Sequence, residues 1–367
     1  MTKGIAVIGT LDTKGREVGY LRDLLVAKGH KVWVIDPGVL GEPAIQADFG
    51  REKVARAGGG ELVDLVARGD KGRAIGTMIA GTREIVARLY AEGRLSGVLA
   101  VGGGQGTAIG TAAMQALPIG VPKVMVSTMA SGRNIFEPYV GTSDVTLMHS
   151  VADIVGVNTV TRKVFGNAAA AVAAMAEAAA PAGEREARAV VGATMLGLTT
   201  PCVLQAQELL EGWGYELVAF HPNGTGGRAM ERLVEEGVIQ AVLDVSLQEL
   251  TGRVCGGLFD AGPERLTAAG RRGLPQVVAP GGTDYVVLGP LDSLNEAQRA
   301  RPLIVHNPNI TLIRTTADEM AAIGRLMARR LNEARGPVAV MVPMGGFSYS
   351  DRPGQAFYDP EADAALV

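Results

Sequence analysis

Ser96-Gly97-Val98-Leu99-Ala100-Val101-Gly102-Gly103-Gly104-Gln105-Gly106-Thr107 decides how the rest of the chain is read. A β-favouring apolar run enters a turn with four glycines in five positions. The chain leaves it through an alanine-rich, helix-favouring segment over residues 108–116. Glycine tolerates φ > 0 and lets amide N–H groups converge on an anion. A helix beginning just afterwards adds unpaired N–H groups and the positive end of its dipole. One reading is a phosphate cradle at the carboxyl end of a parallel strand. The plainer one is a tight strand-to-helix turn that needs glycine for close packing.

Length and composition narrow the choices. At 367 residues the chain is long for one core, and two domains are expected. Few aromatics (4%) and 50 glycines suit α/β layers with strands buried on both faces and tight turns. A net charge of −3 without a dense basic run argues against nucleic acid as the main partner. Two isolated cysteines, Cys202 and Cys255, speak against a disulfide scaffold and a zinc site. A strand is reached almost at once at Ile5, leaving no room for a signal peptide. The low-charge segment 168–180 is too weakly apolar to span a bilayer. A cytoplasmic protein without a membrane partner is expected.

Residues 4–8 read as a buried strand entering Gly9-Thr10-Leu11-Asp12-Thr13-Lys14-Gly15, followed by a helix and a second strand, 31–35, that ends in Asp36-Pro37. An acid at the end of the second strand accepts from ribose hydroxyls in nucleotide-binding units; Asp before Pro also initiates turns. Residues 61–68 and 70–92 read as helices, with Gly76 and Gly81 as helix-packing glycines. A strand over 123–126 ends in a second small-residue loop, Ser127-Thr128-Met129-Ala130-Ser131-Gly132. Asn158 caps a helix expected to reach Ala180, and Pro181-Ala182-Gly183-Glu184-Arg185-Glu186 marks a boundary. The same order restarts with a strand over 189–193, Thr200 as N-cap, Pro201 opening a helix, and a strand over 216–220 ending in His221-Pro222. Thr316 and Glu319 form a capping box. The expected fold is α/β, with two Rossmann-like, doubly wound and mostly parallel subdomains, 1–183 and 184–367, facing a cleft.

Three loops of the first lobe carry its candidate chemistry: Thr10, Asp12, Thr13 and Lys14; Gly102, Gly103, Gly104, Gln105, Gly106 and Thr107; Ser127, Met129, Ser131 and Gly132. No Walker sequence is present. Lys14 is positioned to meet a β- or γ-phosphate, or is an exposed first-turn lysine. Asp12 holds Mg²⁺ through water or caps a helix. In the second lobe His221 ends a strand and is a candidate general acid or base, or is simply bonded to backbone. Thr225, Gly226 and Gly227 suggest a second anion nest, and Arg228 a carboxylate clamp. Asp244 and Asp284 end strands. Cys202 sits in a helix's first turn, as a stabilised thiolate or a buried structural cysteine.

Taken together, Gly9-Thr10-Leu11-Asp12-Thr13-Lys14, the 101–107 and 127–132 loops, Gly141-Thr142-Ser143-Asp144, Thr199-Thr200-Pro201-Cys202, the run from His221 to Glu231 and Phe357-Tyr358-Asp359-Pro360 make the chain resemble the Tm-1-like ATP-binding family. The family takes its name from the N-terminal part of a plant tobamovirus-resistance protein. The resemblance covers essentially the whole chain. It implies two Rossmann-like subdomains, ATP in the N-terminal one with Thr142 beside it, and a tendency to dimerise. It supplies no reaction, and no viral role is carried over.

The leading expectation is an ATP-binding protein, an enzyme using ATP and Mg²⁺ to act on a small acidic metabolite in the cleft. Residues 102–107 would cradle phosphates and Lys14 would neutralise them. Asp36 would hold the ribose, His221 would move a proton, and Arg228 and Asp244 would face the substrate. The alternatives are an ATP-gated regulatory module without turnover and an NAD(P)-dependent oxidoreductase.

Overall fold

The computed structural model describes residues 3–131, 137–178 and 188–367, and the chain divides into two units, Met1–Ala182 and Gly183–Val367. Gly132 and the expected boundary stretch from Pro181 to Glu186 lie outside the described residues.

The first unit runs β1 (Gly4–Ile8), α1 (Leu11–Ala27), β2 (Lys31–Ile35), α2 (Arg51–Ala57), α3 (Leu62–Arg68), α4 (Lys71–Ala91), β3 (Gly97–Gly102), α5 (Gly104–Gln115), β4 (Lys123–Ser127), α6 (Glu137–Val140), β5 (Thr146–His149) and α7 (Thr159–Ala178). Its sheet has the order β2-β1-β3-β4-β5, with every pair parallel. The continuous apolar strands follow from burial on both faces. Ala6, Ile8, Val98 and Ala100 join the core with Met78 of α4 and Met114 of α5. Ile5, Val7, Leu99 and Val101 turn the other way, toward Leu21 of α1 and Phe165 of α7. The strand order reverses between β1 and β3, and in doubly wound sheets the ligand crevice opens at that switch point, beyond the carboxyl ends.

The glycine-rich stretch folds differently from the expected loop. α5 begins at Gly104, not at residue 108, because the first i→i−4 bond is already made by Thr107 N to Gly103 O (2.8 Å). None of its glycines has positive φ. Asn158 caps α7, its Oδ1 accepting from Val160 N and Thr161 N; Ala180 lies outside the described residues.

α4 separates two glycines that periodicity treats alike. A Cβ on Gly81 would lie 1.8 Å from the Val54 carbonyl oxygen, so this glycine lets α2 and α4 touch. A Cβ on Gly76 would meet nothing, so Gly76 is not a packing glycine. Gly76→Ala is therefore expected to gain about 0.5–1 kcal/mol, and Gly81→Ala to lose about 2 kcal/mol by overpacking against backbone. Urea unfolding of the two variants checks both signs.

The second unit runs β6 (Val190–Thr194), α8 (Thr200–Gly212), β7 (Glu216–Phe220), α9 (Gly226–Glu235), β8 (Ala241–Asp244), α10 (Gln248–Cys255), α11 (Ala268–Arg272), β9 (Gln276–Val278), β10 (Tyr285–Leu288), α12 (Glu296–Arg299), β11 (Leu303–Asn307), β12 (Ile310–Arg314), α13 (Ala317–Asn332), β13 (Val338–Val340) and α14 (Pro360–Leu366). Its parallel sheet has the order β7-β6-β8-β9-β13. Counting only the strands of this sheet, that is the first unit's strand order again. The Thr316–Glu319 capping box is present with both bonds made. Thr199, not Thr200, is the N-cap of α8, one residue earlier than expected.

One element has no counterpart in the first unit. β10, β12 and β11 form a separate antiparallel sheet, where the sequence reading assigned nothing. β11 and β12 are joined through Pro308-Asn309, which is not one of the glycine-containing dipeptides that mark a two-residue hairpin in sequence. Among the described residues no helix is long and apolar enough to cross a membrane.

Candidate functional site

The switch point of the first unit is lined from below by short side chains whose hydroxyls are already engaged. Thr107 Oγ1 bonds the Gly103 carbonyl (2.8 Å) and shares a 2.6 Å bond with Ser127 Oγ. Ser127 Oγ in turn accepts from Met129 N. Both hydroxyl residues are fully buried. They position the loops after β3 and β4 and leave the ligand face to backbone. Gly102 is needed for packing, since its Cβ would sit 2.7 Å from Gly106 Cα, whereas Gly104 faces open space. The amides of Gly104, Gln105 and Gly106 precede the first intrahelical bond, so the start of α5 offers unpaired N–H groups with no side chain over Gly104.

A cavity of about 520 Å³ opens beside this helix start. That volume is in the range of small-molecule sites. Thr10, Asp12, Thr13 and Gln105 give it a polar end, and Val39, Leu40, Leu65, Val66, Ile75, Met78 and Ile109 an apolar wall. Much of that wall comes from α3 and α4, in the long connection between β2 and β3, which strand-end reasoning did not include. Asp12 Oδ1 is buried without a hydrogen-bond partner and sits near Asp36. Among the described residues, no group of three or more His, Cys, Asp or Glu side chains forms a metal site.

Other expected ligands of the first unit are placed elsewhere. Asp36 is buried, and its Oδ1 accepts from Leu11 N (3.0 Å) and Gly38 N (2.8 Å). Through Oδ1 it ties the β1 and β2 loops together, which is the turn role. Burial raises its pKa against the lowering pull of those two amides. Lys14 interrupts α1 with φ −125° and ψ 15°, and its Nζ donates to the Ile154 carbonyl at 2.5 Å. Ile154 packs in the core of α1 and α7, on the sheet face away from α4 and α5, so Lys14 does not line the cavity. Ser131 Oγ meets His149 Nε2 at 3.1 Å, and Thr142 lies before β5; neither lines the cavity.

In the second unit the residues with the strongest chemical signal hold the fold together. Asp244 ends β8, fully buried, and receives both Nη atoms of Arg265 (2.5 and 2.8 Å) and Thr194 Oγ1 (2.6 Å). Its acceptor positions are filled, which corrects its expected role facing substrate. Of the expected nest of Thr225, Gly226 and Gly227, only Gly227 offers its amide to an anion, and that anion is a carboxylate of the chain itself. Gly224 N and Gly227 N donate to Glu249 Oε1, while Arg265 Nε donates to Glu249 Oε2 at 2.6 Å. A Cβ on Gly227 would lie 1.8 Å from that Oε2. Glu231 accepts from Leu266, Thr267 and Ala268 amides and lies 3.4 Å from Arg265. Burial pushes the Glu231 pKa up despite Arg265. Burial alone would depress the Arg265 guanidinium, but Asp244, Glu249 and Glu231 hold it well above its usual value. Arg265 and Glu249 escaped sequence reasoning because nothing in their neighbourhood marks them. His221 is exposed at the end of β7, Arg228 is half-buried, and Cys202 is exposed, not buried.

Asp284 lies in the turn immediately before β10 instead of ending a strand, and it is fully buried. Ser348 Oγ donates to its Oδ2 at 2.6 Å, and its Oδ1 has no partner. Burial, reinforced by Asp351, raises its pKa from 3.8 to about 7. The folded chain therefore binds this proton more tightly than the unfolded chain. Its stabilising contribution is complete below about pH 3.8 and is lost as the pH rises through about 7. Asp284→Asn is expected to gain about 2 kcal/mol relative to wild type between pH 5 and pH 8. Urea midpoints at the two pH values measure it.

Residues 3–181 match the Uncharacterised protein family (UPF0261) N-terminal domain, and residues 188–367 match its C-terminal domain. A UPF0261 protein of Clostridium tetani is 44% identical over 366 residues, covering 100% of this chain and 90% of that protein. The ToMV resistance protein Tm-1(GCR237) of Solanum lycopersicum is 40% identical over 301 residues, covering 81% of this chain and 40% of the tomato protein. Among solved structures, an N-terminal ketoreductase from the macrolactin assembly line aligns with a TM-score of 0.23 and 8% identity, which carries no argument.

Proposed function

The chain belongs to the UPF0261 family, and from that premise we propose that its first unit binds ATP at the β1/β3 switch point. The observation that carries this reading is a cavity with a polar end and an apolar wall that Gln105, in the first turn of α5, lines directly, next to the uncovered Gly104. The apolar wall suits a purine, and the free amides suit phosphate. Mg²⁺ would travel with the phosphates, retaining several of its waters, with Asp12, a cavity carboxylate whose Oδ1 has no hydrogen-bond partner, available to assist it. The resemblance to the Tm-1-like family favours ATP over a dinucleotide.

In its enzymatic form the reading has ATP activating a small acidic metabolite, with His221 moving a proton and Arg228 orienting a carboxylate in a cytoplasmic homodimer. One observation favours the second form, an ATP-gated binding module without turnover. In the second unit, Arg265 takes up the strand-end Asp244 and Glu249 of α10, and Glu249 in turn takes up the Gly224 and Gly227 amides.

Calorimetric titration of the full chain with ATP, ADP, AMP, NAD and NADP tests the proposal. ATP binding at micromolar concentration is expected; binding of a nicotinamide dinucleotide without ATP would remove it. ATP consumption in the presence of small carboxylates, lowered by His221→Ala, distinguishes the enzyme from the module.

A further inference from the structure

We infer that Lys71, at the first position of α4, supplies the charge that selects a nucleoside triphosphate over a monophosphate at this cavity. The inference rests on the ATP reading above. Lys14 is committed to the Ile154 carbonyl on the other side of the sheet. Among the described residues lining the cavity, Lys71 is the only basic one. Its side chain makes no hydrogen bond or ion pair with any described residue, whereas the Asp70 side chain beside it is engaged as the N-cap, accepting from Arg73 N at 3.0 Å.

Helix length explains how Lys71 reaches the site. α4 leads into β3, so its N-terminus lies toward the carboxyl ends of the strands. Its 21 residues span roughly 31 Å, against about 20 Å for the 6 residues of β3. The excess projects past the sheet, carrying Lys71, Ala74, Ile75 and Met78 alongside Gln105 at the start of α5. Lysine is also the wrong charge for a helix N-terminus, where the macrodipole favours acids. Helix stability therefore does not account for it, and a ligand polyanion does.

The test measures the ratio of ATP to AMP affinity by calorimetry in wild type, Lys71→Met and Lys71→Glu. Lys71 is exposed, so both variants are expected to fold, with Lys71→Glu at least as heat-stable as wild type. The ratio is expected to fall about tenfold in Lys71→Met, and further in Lys71→Glu, with AMP affinity changing about twofold or less. A merely structural lysine would move melting temperature and leave the ratio alone. ATP binding with an unchanged ratio in both variants, or a ratio lost in Lys14→Met instead, overturns the inference. Failure of wild type to bind any adenine nucleotide removes the ATP reading itself.

Discussion

Replacing Arg265 by leucine is expected to cost the protein about 3–5 kcal/mol, a large part of the stability of an ordinary domain. The side chain is completely buried and is the shared cation of Asp244, Glu249 and Glu231. Leucine would leave those carboxylates without their counter-charge in a region that water does not reach, and an unpaired buried charge is far costlier than the pair it came from. The loss would spread through the backbone. Glu249 holds Gly224 and Gly227, and Glu231 holds the amides that open α11. The deficit should also depend on pH. Without the guanidinium, the folded-state carboxyl pKa values rise, so the variant loses further stability as pH increases and its deficit is larger at pH 8 than at pH 5. Urea unfolding at both values reads the effect, and a loss under about 1 kcal/mol would show that the cluster is not what holds this unit.

Gly104→Asp should separate binding from folding. Nothing lies within 4 Å of the new Cβ, and the residue is exposed at the first position of α5. An acid there complements the helix dipole, and the substitution removes the entropic cost of glycine, so the melting temperature should hold or rise. The same carboxylate stands over the amides proposed to receive phosphate. At about 5 Å in a partly screened site, repulsion from a polyphosphate is expected to weaken ATP binding about 100-fold. A more stable variant that binds ATP within about threefold of wild type would move the phosphates away from this helix.

Much of the fold is legible because strand and helix signals are local. The alternation that sends Ala6 and Ile8 to one core and Ile5 and Val7 to the other needs only five residues. The Thr316–Glu319 capping box needs four. The glycine turn was also found, although the helix start inside it was placed late because consecutive glycines carry little helix propensity. Here the open face over Gly104 and the packing demand at Gly102 distinguish positions that look alike in sequence. The antiparallel sheet of β10, β12 and β11 is not legible in sequence, because the Pro308-Asn309 turn between β11 and β12 lacks the usual glycine.

The site was less legible, for a different reason. Thr10, Asp12, Thr13 and Gln105 meet at one cavity because they follow strands, and strand ends converge in this topology. The wall from α3 and α4 comes from a long crossover whose reach depends on how far one helix overshoots the sheet. Lys14 and Asp244 had suitable chemistry in suitable loops, yet each found a partner within its own unit.

By itself, the sequence determined the two doubly wound units, the strand ends that matter and the glycine-led helix start, because periodicity, capping and turn chemistry act over a few residues. Only the tertiary structure decided which polar groups are free to meet a ligand. A side chain's availability depends on the distant charges and carbonyls that burial brings within hydrogen-bond reach, and residues 21 and 140 positions apart, as in Asp244–Arg265 and Lys14–Ile154, settle that in space.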